Sequence, residues 1–193
     1  VQAHGEGRRV AWVTAVSPPL EILYALGIQP LFPENYACVA TVMKAARNLF
    51  DASEAYGISR DLCSYARCVM GSVLGAEAPF GGMEKPDVLL STKNVCVVYM
   101  KWWELMAQTL KCPLYVIDSP AITDKIEDYH VQYVDGQLRN LVSELEKITG
   151  KSLDEEKLKE AVKLSDRAAE LWRKVLEQRK AKPCPMGVTD SSA

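Results

Sequence analysis

The sequence predicts an α/β fold: an open parallel sheet with helices on both faces, followed by a long helical hairpin. Three observations predict it. Short, nearly continuous apolar runs alternate with amphipathic stretches of helical length, the pattern of parallel βαβ units with right-handed crossovers. Gly and Pro punctuate the boundaries between them. After residue 122 the strands stop, and two long charged amphipathic segments follow.

The elements follow in order. "RRVAWVTAV", Arg8 to Val16, reads as a strand buried on both faces. In "SPPLEILYALG", Ser17 suits a helix cap, Pro18 its first turn and Gly27 its exit. "IQPLFPE" reads as a second strand. From Tyr36 to Tyr56, Val39, Val42, Met43, Ala46, Leu49 and Phe50 recur at helical spacing, predicting one helix that ends at Gly57. A further helix is predicted from about Arg60 to Leu74, then a Gly/Pro-rich loop, "EAPFGGMEKP". "DVLLST" is a buried strand, "VCVVYMKWWELMAQTL" a helix, and "CPLYVIDSP" a strand ending in a turn at Asp118. Asp124 to Thr149 and Asp154 to Lys180 are the two long helices. In the second, a stripe from Leu158 through Ala161, Val162, Ala168, Trp172 and Leu176 predicts packing on a core. "KPCPMGVTDSSA" reads as a linker.

The chain has 193 residues, 48% of them hydrophobic and 25% charged, as in an ordinary globular domain. A net charge of −2 offers no electrostatic footprint for nucleic acid or an anionic membrane. No apolar run approaches the roughly 20 residues of a bilayer span. The start, "VQAHGEGRR", shows no signal-peptide pattern and reads as a cut end with a polar lead-in. Six cysteines in a chain of this size without a secretion signal predict a reducing cytoplasm, with thiols packed, reactive or metal-bound. Dinucleotide, P-loop, CxxC and GxSxG motifs are all missing.

In an open α/β sheet, ligands bind beyond the carboxyl ends of the strands. "VSPPLE", "FPENY", "STKNVC" and "IDSP" fall there. Cys63 and Cys96 each open a helix, where free N–H groups and the positive end of the macrodipole favour thiolate, the metal-binding form. Core packing, reactivity and metal ligation all stay open for them on the residues alone. Cys68 is five residues after Cys63, on a different face, and reads as core. Cys112 also reads as core, Cys38 as part of an apolar helix face, and Cys184 as incidental. His4 and His130 have no partner spacing, and "MKWWELM" reads as packing.

Several of these segments together resemble the 2-hydroxyacyl-CoA dehydratase family, which also includes the ATP-dependent benzoyl-CoA reductase subunits. The resemblance lies in "SPPLEILYALGIQPLFPENYACV", "GISRDLCSYARCVMGS" and "NVCVVYMKWWELMAQTLKCPLYVIDSP" and covers most of residues 9 to 150. It implies two Rossmann-like halves per subunit, with a [4Fe–4S] cluster held by three cysteines in the cleft between them. By motif match, two of the three are Cys63 and Cys96, 33 residues apart. The third would come from a C-terminal half outside this chain. On this reading, residues 9–150 form the N-terminal half, 151–182 a helical appendage and 183–193 a linker to the missing half.

The resemblance further implies that Ser17 and Glu34 face the reacting end of an acyl-CoA substrate. Without it, they read as an N-cap and a solvated turn. It implies a homologous second subunit and an ATP-dependent iron–sulfur activator. The activator injects one electron, relayed to the thioester carbonyl as a ketyl radical that expels the 2-hydroxyl or starts ring reduction. Two other expectations stand beside it: a non-catalytic partner subunit, and a redox-inert α/β binding module whose cysteines are core.

Overall fold

A computed structural model describes residues 3–16, 18–93 and 95–187. Four parallel strands, β1 (Arg9–Val13), β2 (Ile28–Leu31), β3 (Val88–Thr92) and β4 (Leu114–Ile117), lie in the order β2-β1-β3-β4. Ala11 of β1 sits between Pro30 of β2 and Val88 of β3. Pro30 removes a ladder donor, which an edge strand tolerates.

The apolar run of β1 serves both faces. Val10 and Trp12 enter one layer, Ala11 and Val13 the other. The first layer holds α2 (Pro33–Val42), α3 (Ala46–Ala55), α4 (Ser64–Val73) and α5 (Val97–Leu110), around Leu49, Met70, Trp103 and Met106. The second holds α1 (Leu20–Ala25) and α6 (Asp128–Thr149), through Leu23, Leu141 and Leu145. The last long helix, α7 (Glu155–Glu177), lies against α1, and Leu158 near its start packs on this second layer. Among the described residues, no helix is long and apolar enough to cross a membrane.

The structure corrects several expected boundaries. Tyr36 to Tyr56 is two helices, because Lys44 adopts a left-handed backbone (φ 60°) between α2 and α3. The expected stripe is therefore split, and Val42 and Met43 are exposed. Pro33 ends the second strand early and starts α2. Helix α1 begins at Leu20 with Pro19 in the cap position; Ser17, the expected cap, lies outside the described residues. The Arg60–Leu74 helix contracts to Ser64–Val73, and the two long helices to Asp128–Thr149 and Glu155–Glu177. The α7 stripe is not a core face: no residue of α7 is buried, and Trp172 and Leu176 are exposed.

Both histidines acquire structural partners that their spacing did not reveal. His4 lies between Glu84 and Asp87, with ring-nitrogen contacts of 3.1 and 2.8 Å. Backbone N–H groups of Ala3 and His4 also donate to Glu84, which seals the buried Ala3 against the domain. The His130 ring accepts from the Glu127 N–H, closing a capping box on α6.

Candidate active site

The strand order reverses direction between β1 and β3. From β1 the chain moves to β2 on one side, then crosses back to β3 and β4 on the other. Such a switch point opens a crevice at the carboxyl ends of the two strands. Buried Thr14 and Thr92 mark those ends, their hydroxyl oxygens 3.4 Å apart, and both hydroxyls donate to the Val16 carbonyl.

A cavity of about 280 Å³ lies at this crevice. Ala15, just past β1, forms its floor. Glu34, Asn35 and Cys38 come from α2. Cys63 and Tyr65 come from the start of α4, and Cys96, Val98, Tyr99 and Trp102 from the start of α5. A larger cavity of about 400 Å³ beside Arg9 and Thr149 sits at the amino end of β1 instead, the wrong end of the sheet for such a site.

Three of the four expected site residues meet here. Cys63 and Cys96 are the N-cap residues of α4 and α5, both half-buried, so two helix starts present their thiols to one cavity. Arg67 steadies the approach to Cys63: it pairs with Glu54, donates to the Arg60 carbonyl at 3.0 Å and lies 4.4 Å over the Phe50 ring. Glu34 is not a solvated turn residue. Pro33 sets the first turn of α2, which carries Glu34 inward to 8% exposure. Its Oε1 accepts from the Ala15 N–H at 3.1 Å, while Oε2 is buried without an aligned hydrogen-bond partner. The Tyr99 hydroxyl is close enough to feel this carboxylate. Burial first, and then Glu34, hold its pKa well above the usual tyrosine range. The fourth expected residue, Ser17, lies outside the described residues.

Other lining residues escaped the sequence reading. Cys38 is exposed at the cavity rather than inside an apolar face, and its thiol donates to the Tyr65 hydroxyl at 3.6 Å. That thiol is the main cause of a raised Tyr65 pKa. Trp102 packs in the core as expected, yet its helix also turns Tyr99 and Val98 to the cavity. Cys68 and Cys112 are buried, as expected of core thiols.

The donor set bears on a metal cluster. Two thiols at neighbouring helix starts, in a largely apolar cavity, suit two ligand positions of an iron–sulfur centre. Among the described residues, no group of three or more His, Cys, Asp or Glu side chains is placed to hold a metal ion.

An open parallel sheet with a thiol- and carboxylate-lined crevice at its switch point defines the class: a doubly wound α/β protein with a cavity at the carboxyl ends of its strands. The family model described as 2-hydroxyglutaryl-CoA dehydratase, D-component, matches residues 15–192, and the chain belongs to that family. It is 32% identical over 191 residues to the (R)-phenyllactyl-CoA dehydratase alpha subunit of Clostridium sporogenes, covering 98% of this chain and 47% of that one. It is 31% identical over 204 residues to the lactoyl-CoA dehydratase subunit alpha of Anaerotignum propionicum, covering 98% and 48%. Identity to a benzoyl-CoA reductase subunit of Thauera aromatica is 28% over 173 residues, covering 86% and 39%. The chain thus spans about half the length of the first two relatives.

Proposed function

We propose that this chain is the N-terminal half of a 2-hydroxyacyl-CoA dehydratase subunit, with its switch-point cavity holding the reacting end of the thioester. The convergence of Glu34, Cys63 and Cys96 on one cavity carries the reading. A homologous second subunit and an ATP-dependent iron–sulfur activator complete the assembly. The six unpaired thiols support a reducing, cytoplasmic setting.

Residues 9–150 would form the Rossmann-like unit and 151–182 an appendage to it. Cys63 and Cys96 would hold two positions of a [4Fe–4S] cluster, which supplies single electrons when bound.

The chemical difficulty is polarity. In a 2-hydroxyacyl thioester the α-hydroxyl is a poor leaving group and the β-proton is not acidic. One electron added to the thioester carbonyl gives a ketyl radical, and the 2-hydroxyl then departs as hydroxide. Loss of a β-proton and return of the electron give the 2-enoyl thioester, so the net change is loss of water. Glu34 is the chain's candidate proton carrier: the Ala15 N–H fixes Oε1, and Oε2 has no aligned partner. Tyr99 keeps its proton at neutral pH and borders the same carboxylate. Ser17, which directly follows β1 and its extension in sequence, would hold a substrate oxygen.

The test is anaerobic dehydration of a 2-hydroxyacyl-CoA by the assembled enzyme, followed as 2-enoyl-CoA formation. Glu34→Gln is expected to lower kcat by about 100-fold or more, the usual scale for a lost acid–base group. An unchanged kcat would remove Glu34 from the proposal.

A further inference from the structure

We infer that the cavity selects an uncharged, apolar acyl group and rejects one that carries a free distal carboxylate. This rests on the reading of the cavity as the acyl-CoA site and names the substrate class within it.

The argument is one of charge and surface. Among the described residues, neither Lys, Arg nor His lines the cavity, whereas Glu34 does. Two cations on the elements that flank the crevice are already paired. Lys93, just past β3, pairs with Asp118 at 3.0 Å, and Arg67 is held by Glu54, the Arg60 carbonyl and the Phe50 ring. A distal carboxylate on the acyl chain would enter beside Glu34 with no countercharge, and a desolvated, unpaired charge is strongly disfavoured. The lining contributed by α5 suits apolar contact: Val98, Tyr99 and Trp102, in its first two turns, present aliphatic and aromatic surface. At about 280 Å³, the space falls below the roughly 300 Å³ at which whole small-molecule sites begin, and Cys63 and Cys96 share it, so the nucleotide stays outside.

Equilibrium binding of 2-hydroxyisocaproyl-CoA and 2-hydroxyglutaryl-CoA to the protein tests this, because the two probes share the CoA charge and differ in the distal carboxylate. The wild type is expected to bind the isocaproyl probe at least tenfold more tightly. Glu34→Gln should narrow that gap by improving binding of the dicarboxylate, and Val98→Lys should close or invert it. Equal or tighter binding of the glutaryl probe by the wild type overturns the inference while leaving the acyl-CoA reading intact. Binding of neither probe overturns the acyl-CoA reading and this inference with it.

Discussion

Burial pushes the thiols of Cys68 and Cys112 up to about 11, while Cys38 and Cys184 are exposed. The thiolate is the reactive form, so buried thiols held protonated are inert at neutral pH. Alkylation of the native protein by iodoacetamide at pH 8 should label Cys38 and Cys184 and spare Cys68 and Cys112, read by peptide mass mapping. Labelling of Cys68 at the rate of Cys184 would contradict the burial. At this scale the sequence was partly legible. Cys68 could be assigned to the core because it lies well over a turn past Cys63, on another face of the same helix. Cys63 and Cys96 could be placed at helix starts, although the helix after Cys63 begins at Ser64 and not near Arg60. Cys38 could not be read, because its apolar neighbours Val39, Val42 and Met43 mimic a buried stripe yet stand in solvent. Nor could the inward turn of Glu34, which depends on Pro33 starting a helix where a strand end was expected.

Between elements, the tightest contact is that of α3 with α4. Gly71 of α4 sits against the backbone of Leu49: a Cβ there would run into the Leu49 carbonyl oxygen, and the carbonyl carbon would be only 2.6 Å away. Backbone cannot swing aside as a side chain can, so Gly71→Ala should destabilise the fold by about 3 kcal/mol. Gly136 provides the contrast. It lies in the exposed middle of α6 with nothing near its Cβ position, so Gly136→Ala should stabilise by about 0.5–1 kcal/mol. Urea unfolding of the two variants measures both effects, and equal shifts would deny the close approach. Strands and most helices were legible because burial on both faces leaves continuous apolar runs and Gly or Pro marks their ends. The break at Lys44 was not: neither Gly nor Pro announces it, and a lysine in the left-handed region, rare for a residue with a side chain, makes the turn between α2 and α3.

Across the whole molecule, four parallel strands and their crossovers create one switch point, and three of the four residues singled out by motif converge on it from three separate elements. Residues distant in sequence meet there because α2, α4 and α5 all begin at the carboxyl edge of the sheet, or in the turns beside it. This convergence was anticipated in outline, since the sheet rule places ligands at that edge. The apolar lining and, among the described residues, the absence of lining cations could be seen only after folding. Cys63 and Cys96 are proposed to act together as cluster ligands, and iron and labile sulfide in protein purified anaerobically as the assembled enzyme decide it. Wild type and Cys68→Ala should carry both, with Cys63→Ser and Cys96→Ser each losing most of the iron that this subunit holds. Colourless wild-type protein, or iron and sulfide retained in full by both serine variants, would contradict it.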